Sequence, residues 1–391
     1  MKDETKIVVA GRDPEHNHGV VNPPVYHAST ILRSSLAHLN EMAEKRYGDE
    51  PEMLYGRVGH PTALAFEEAM ATLEGGFRCL AYPSGLAAIS SSLLSFLQAG
   101  DHLLVSDSVY GPTRTFSDKV LSRYGVETTY YDPEIGAGIA ELMRPNTRVV
   151  FMESPGSQTF EMQDIPAIAE VAHRNDAVVM MDNTWATPLF FKPLDYGVDI
   201  SIQAATKYIV GHSDAMMGTV TTRREHFVQL RDTSQQLGQC AGPDDIYLAQ
   251  RGLRTLSVRL HRHWENGLKI ADWLAGRPEV TRVLHPALPG DPGYDLWKRD
   301  FKGAAGLFAF VVRPCSDTAL GAMMDDLELF GMGYSWGGYE SLMVPGHPQK
   351  FRTVKPFEDE GRLLRVHIGL EDPEDLMADL DAGFARLKAA D

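Results

Sequence analysis

From Val178 to His212 the chain reads VVMMDNTWATPLFFKPLDYGVDISIQAATKYIVGH. A β-branched and methionine run ends in Asp182, and a second apolar segment runs into Thr206-Lys207-Tyr208. An acid at the end of one buried strand and a lysine at the end of another are rarely held away from water unless something pairs with them. A pyridoxal phosphate ring is one group able to pair with both. The lysine would hold it as a Schiff base, and the carboxylate would keep its ring nitrogen protonated. Taken singly, each residue has a plainer reading. Asp182 could cap the Asn183-Thr184 turn, and Lys207 could snorkel from a strand end.

The surrounding sequence sets both residues in an α/β frame. From Pro61, helical and strand patterns alternate: PTALAFEEAMATLEG is amphipathic with a Gly75-Gly76 stop, and RCLAYPSGLAAISSSLLSFLQAG reads strand, tight turn, helix. HLLVS, VETTYYD, TRVVFMES, AVVMMDNT, GVDISIQAAT and MGTVTT continue the strand series, separated by helices such as PAIAEVAHRND. This spacing implies βαβ units and a mostly parallel sheet with helices on both faces. Near residue 245 the pattern changes to one long helical stretch, DDIYLAQRGLRTLSVRLHRHWENGLKIADWLAG. AAGLFAFVVRP and RLLRVHIGLED then read as strands of a second sheet, before a terminal helix. Residues 1–60 read as an arm: VVNPPVYHAST forbids helix, Met42 to Met53 is charged, and a neighbouring subunit is the surface such an arm packs on. The expected division is therefore 1–60 arm, 61–245 cofactor-binding domain and 246–391 smaller C-terminal α/β domain.

Composition narrows the function. A net charge of −16, from 53 acids against 37 bases, repels phosphate backbones, and no Lys/Arg block is present, so nucleic acid is not expected as a partner. Three cysteines, Cys79, Cys240 and Cys315, are far apart and lack CxxC spacing, which argues against a disulfide frame or structural zinc. No apolar run reaches the roughly 18 residues of a membrane span, and MKDETK has acids where a secretion signal needs bases. A cytoplasmic enzyme is expected.

Further residues gather around the same chemistry. Pro83-Ser84-Gly85-Leu86-Ala87-Ala88 joins a strand to a helix, which makes free N–H groups and the helix dipole available to an anion, though an ordinary turn would look the same. GxGxxG and a Walker lysine are both lacking here, so a nucleotide-binding oxidoreductase lacks support. Tyr110, in SVYGPT, could stack on a flat cofactor or be a half-buried loop tyrosine. Arg365 lies in an apolar strand; it could take a substrate carboxylate or form an internal salt bridge to Glu371 or Asp372. Tyr55 and Arg57 in LYGRVGHPT offer phosphate donors, or are an exposed pair. His261-Arg262-His263 reads as surface, and Met180-Met181 and Met216-Met217 as core filling.

In these residues the chain resembles the Cys/Met-metabolism family of pyridoxal-phosphate enzymes. The likeness runs over essentially the whole length: YGR at Tyr55–Arg57, PSGLAA at Pro83–Ala88, DNTWA at Asp182–Ala186 and QAATKYIVGHSDAM at Gln203–Met216. RGLRTL at Arg251–Leu256, YSWGGYESL at Tyr334–Leu342 and HIGLEDPEDLMADLDAGF continue it. The resemblance implies fold type I, the aspartate aminotransferase class, with Lys207 as Schiff base and catalytic group and Asp182 on the pyridine nitrogen. Tyr110 would stack on the ring and assist catalysis, and Gly85, Leu86 and Thr206 would hold the phosphate. Tyr55 and Arg57 would reach that phosphate from a neighbouring subunit of a tetramer built as a dimer of dimers. Ser335, Trp336 and Arg365 would line the substrate side; no metal is implied. Ala204 stands where many members carry serine, which removes one phosphate hydrogen bond, worth about 1 kcal/mol.

Trp336 points to the branch acting at Cβ, because γ-acting members usually carry leucine there. The implied reaction is carbon–sulfur β-elimination on an amino acid, L-cystathionine above all, within methionine biosynthesis and trans-sulfuration. Cystine and cysteine S-conjugates are further candidates, and γ-elimination or γ-replacement is the alternative.

Overall fold

In the computed structural model, which describes residues 1–45, 48–50 and 53–391, seven of the strand-like runs pair into one sheet. They are β1 (Arg78–Tyr82), β2 (His102–Ser106), β3 (Glu127–Tyr131), β4 (Thr147–Glu153), β5 (Val178–Asp182), β6 (Ile200–Gln203) and β7 (Gly218–Thr222). Their order is β1-β7-β6-β5-β4-β2-β3, and β7 alone runs against the rest. Alternate side chains serve two cores. Val149, Phe151 and Met180 join Ile89 and Leu93 of helix Gly85–Phe96 on one face. Val150, Met152, Val179 and Met181 join Phe66 and Met70 of helix Pro61–Glu74 on the other. Each such side chain stabilises the fold by about 1.5–3 kcal/mol on burial. This is why the runs are apolar on both faces instead of alternating with polar residues.

The parallel strands bring their C-terminal ends to one edge. β2 leads to β3 on one side and β4 leads to β5 and β6 on the other, so the connections diverge beside β4. A crevice opens at such a switch point.

A second, antiparallel sheet follows, ordered β10-β11-β9-β8: β8 (Val280–Leu284), β9 (Leu307–Val312), β10 (Leu342–Pro345) and β11 (Arg362–His367). Its core includes Phe308, Phe310, Met343, Leu364 and Phe384 of the terminal helix Pro373–Ala390. No helix among the described residues is long and apolar enough to cross a membrane.

Four sequence expectations need correction. The long helical stretch is two helices, Pro243–Arg254 and Leu256–Ala275, broken at Thr255, whose φ of −108° and ψ of 6° leave the α region. The first ten residues are not arm. Helix Asp3–Val9 buries Ile7, and Arg254 Nη1 donates to the carbonyls of Ile7 and Ala10, both at 2.8 Å. Beyond them Val20, Val21, Tyr26, Leu32, Leu36 and Leu39 are exposed, as an arm's would be; part of the charged Met42–Met53 segment lies outside the described residues. His263 is fully buried, with Nδ1 bonded to Ile368 O at 2.8 Å, because a tertiary neighbour claims a helix face that looked polar. Met217 is core, but Met216 is 56% exposed beside the crevice.

Candidate active site

Five loops meet at the C-terminal edge of the large sheet and enclose a cavity of about 350 Å³. After β1, Ser84 caps helix Gly85–Phe96: its Oγ accepts the Ala87 N–H at 3.1 Å. The N–H groups of Gly85 and Leu86 at the helix start are left for an outside acceptor, where the helix dipole favours negative charge. Glycine is required at 85, since a Cβ there would come within 2.6 Å of Ala204 Cβ. The same contact explains the small residue at 204.

β4 and β5 end level with each other, Glu153 opposite Asp182. Asp182 is 7% exposed, and its Oδ1 accepts the Thr184 N–H at 3.0 Å and hydroxyl at 2.5 Å. Both readings of Asp182 therefore hold at once: it organises the local turn and faces the cavity. Among the described residues no cation lies within ion-pair distance. Burial pushes its carboxyl up, while the Thr184 bonds and Lys207 oppose that. Glu153 accepts the Tyr110 N–H at 2.7 Å; burial, then the neighbouring Asp182 charge, pushes its carboxyl well above the usual range. Tyr110 stands at the N-cap position of helix Gly111–Lys119, without a side-chain capping bond, and is 42% exposed at the cavity.

After β6 the chain makes one helical turn, closed by the Gly211 N–H on Lys207 O at 2.8 Å. Lys207 Nζ donates to Ser335 Oγ at 2.6 Å and lies 5.3 Å from the centre of the Trp336 ring. Burial, then the Arg365 charge, lowers its pKa to about 8, with Asp182 pulling the other way. Thr206 lines the cavity, its hydroxyl donating to Met217 O at 3.1 Å. Ser335 has φ of +89°, a costly conformation for a residue with a Cβ. Its carbonyl accepts Arg365 Nη2 at 3.2 Å.

Arg365 has no carboxylate within ion-pair distance among the described residues. The internal salt bridge is overturned: Glu371 accepts the Ser341 N–H and hydroxyl at 2.7 and 3.0 Å, and Asp372 accepts the Glu374 N–H of the terminal helix. Burial lowers the guanidinium's pKa, offset by Tyr110 and Tyr334.

The cavity thus brings together Gly85, Leu86, Tyr110, Asp182, Thr206, Lys207, Trp336 and Arg365, with Ser335 bonded to the lysine. Tyr55 and Arg57 are not in it. They line a separate groove of about 570 Å³, and Arg57 Nη1 donates to Gln235 O at 2.7 Å. Sequence reasoning missed Glu153 and Thr184. The signal for Glu153 was present, since FMES ends a buried strand in an acid just as VMMD does. No group of three or more His, Cys, Asp or Glu among the described residues is placed to hold a metal ion.

The donor set fits pyridoxal phosphate. A buried carboxylate without a cation suits a protonated ring nitrogen, a helix N-terminus with free N–H groups suits a phosphate, and a lysine of lowered pKa suits a carbonyl carbon.

Comparison with known proteins agrees. The family described as Cys/Met metabolism PLP-dependent enzyme matches residues 4–385. Cystathionine beta-lyase of Escherichia coli (strain K12) is 46% identical over 392 residues, 99% of each chain. An L-alanine/L-glutamate racemase of Wolbachia pipientis wMel is 42% identical over 99% of this chain and 98% of its own. Among solved structures, cystathionine gamma-lyase from Lactobacillus plantarum superposes with a TM-score of 0.89 at 31% identity, covering 99% of this chain and 100% of that one. The fold is the type I fold of the pyridoxal-phosphate lyases, and the chain belongs to the Cys/Met metabolism PLP-dependent enzyme family.

Proposed function

We propose that this chain is a carbon–sulfur β-lyase that cleaves L-cystathionine with water to homocysteine, pyruvate and ammonia. The observation that carries this is the cavity itself, in which Lys207, Asp182 and Arg365 converge while neither Asp182 nor Arg365 has an ion-pair partner among the described residues. Bound pyridoxal phosphate supplies an electron sink conjugated to the substrate nitrogen. The Arg365 fork takes the α-carboxylate. Lys207, with a pKa near 8, has a neutral fraction able to remove the Cα proton. As an ammonium it then protonates sulfur while the Cβ–S bond breaks. Ser335 Oγ keeps Nζ turned to the substrate side, and Asp182 would hold the ring nitrogen in its protonated form. Gly85, Leu86 and Thr206 would hold the phosphate, and the Tyr110 ring would cover the cofactor.

Trp336 supports action at Cβ. A γ-acting enzyme removes a second proton at Cβ and houses a longer chain, and an indole this close to Nζ takes up that room. The exposed apolar arm supports a homotetramer in which Tyr55 and Arg57 reach the phosphate held by the partner subunit. The division into an arm beyond the docked helix Asp3–Val9, a cofactor-binding domain and a C-terminal domain belongs to the same reading, as does a place in the cytoplasm.

The test is the keto acid released from L-cystathionine by purified protein supplied with pyridoxal phosphate. Pyruvate with homocysteine supports the reading. 2-Oxobutyrate with cysteine moves the chain to the γ branch, and no keto acid removes the proposed reaction. A second reading rests on the racemase relative. L-Alanine has no leaving group at Cβ, so a proton returned to the other face of Cα gives D-alanine. Chiral chromatography checks it, and an absence of D-alanine removes that activity.

A further inference from the structure

Beneath the lysine turn lies a buried guanidinium. Arg259, on helix Leu256–Ala275, is 7% exposed, and no acid among the described residues counters it. A buried arginine without a carboxylate is tolerated only where its N–H groups are consumed. Here backbone oxygens and one hydroxyl consume them. Nη1 donates to Tyr208 O at 2.7 Å, Nη2 to Gly252 O at 2.7 Å and more weakly to Ile209 O at 3.4 Å, and Nε to Thr255 Oγ1 at 3.0 Å.

Tyr208 and Ile209 directly follow Lys207. The turn over residues 207–211 is too short to bond its own last carbonyls, so the guanidinium acts as its C-terminal cap. Three glycines make the approach possible. A Cβ on Gly211, at φ of +72°, would fall 1.9 Å from Arg259 Nη1; one on Gly252 would fall 2.4 Å from Ile209 O. On the opposite side a Cβ on Gly337, in the Ser335–Gly338 loop, would fall 2.8 Å from the Lys207 carbonyl carbon. The Lys207 main chain is thus clasped on two sides, by Arg259 beyond the turn and by the Ser335–Gly338 loop opposite, and its side chain alone is left to move.

We propose that Arg259 is a positioning residue, holding the Lys207 backbone so that side-chain torsions alone set the reach of the amine between Ser335 and the reacting carbon. This rests on the reading of Lys207 as acid and base. In this arrangement a helix of the C-terminal region sets the accuracy of proton transfer at a lysine carried by the large sheet.

The experiment compares wild type, Arg259→Met and Lys207→Ala as holoenzymes, by turnover of L-cystathionine and by amide hydrogen exchange. In Arg259→Met, kcat should fall roughly 10- to 100-fold with KM within about twofold, as misplacement of a catalytic group does. Exchange should quicken in peptides spanning residues 205–213 and stay at the wild-type rate in β8–β11. Unchanged exchange over 205–213, or an unchanged kcat, overturns the proposal, and faster exchange everywhere shows a general structural role instead. Should Arg259→Met fail to fold, Arg259→Lys, which keeps the charge but not the fork, is read by the same exchange criterion. An active Lys207→Ala overturns the reading of Lys207; an inactive Lys207→Ala beside an unaltered Arg259→Met overturns the Arg259 inference alone.

Discussion

Replacing Arg365 by alanine should cost the enzyme its grip on the substrate's α-carboxylate, and the structure bounds the loss. Of the five N–H groups of a guanidinium, the chain uses one, from Nη2 to Ser335 O at 3.2 Å. No carboxylate of the described residues competes, so two parallel donors remain for a substrate carboxylate. Truncating one partner of such a buried charged pair costs about 2–5 kcal/mol, which at about 1.4 kcal/mol per decade is a loss of roughly 30- to several-thousand-fold in kcat/KM. The assay sets L-cystathionine against a cysteine S-conjugate and the methyl ester of that conjugate. Wild type should prefer the free acid strongly, and Arg365→Ala should lose most of that preference. Arg365→Lys, which keeps the charge without the fork, should fall between them. Equal losses for acid and ester would place the damage in the Ser335 carbonyl contact and refute the carboxylate role.

Three other perturbations test separate parts of the site. Lys207→Ala should abolish turnover and the absorption band of the lysine-linked cofactor, and an active variant would sink the mechanism. Gly85→Ala forces a methyl against Ala204 Cβ and Cα, at 2.6 and 2.9 Å; cofactor retention on dialysis should drop, and stability by about 1–3 kcal/mol. Glu74 is fully buried, held by Ser201 Oγ and Gln203 Nε2, and burial pushes its pKa from 4.5 to about 7. Between those values the native carboxyl keeps a proton that the unfolded chain has released, so stability falls as pH rises toward 7 and levels off above it. Glu74→Gln removes that dependence. Its advantage over wild type in urea unfolding should grow by about 3 kcal/mol between pH 5 and pH 8, and a pH-independent difference would show that Glu74 does not titrate in this range.

Much of the fold was legible because parallel strands buried on both faces leave a strong mark. VVMMD and TRVVFME have no polar alternation, and each ends in an acid at the functional edge. The reversed direction of β7 was not legible, since GTVTT pairs equally well either way and only the topology decides. The break at Thr255 was hidden for a similar reason: no proline or glycine stands there, and the junction instead accompanies the approach of Gly252 and Arg259 to the lysine turn. Sequence proximity misled at Arg365. Glu371 and Asp372 are near in the chain, but the end of β11 carries them to Ser341 and to the start of the last helix. His263 was misread because its helical neighbours are polar, whereas its own ring packs on Tyr208 with centroids 5.2 Å apart.

The groups that announce the site are those the protein alone leaves unmatched, and this has a thermodynamic consequence at Asp182. In the cofactor-free protein its carboxyl is buried without a cation and its pKa is raised, so it opposes folding once the pH exceeds its unfolded value. Asp182→Asn keeps an oxygen for the Thr184 N–H and hydroxyl while removing the charge. At pH 8 the cofactor-free variant should therefore unfold at higher urea than cofactor-free wild type. Adding pyridoxal phosphate should reverse the order. A ligand at a hundred times its Kd stabilises by about 2.7 kcal/mol, and the variant, lacking the anion for the ring nitrogen, should gain less. The two measurements carry opposite signs, which separates this account from a structural role for Asp182. If the carboxylate served mainly to hold the Thr184 turn, the variant would be the less stable protein with and without cofactor, and the assignment of Asp182 to the ring nitrogen would fall.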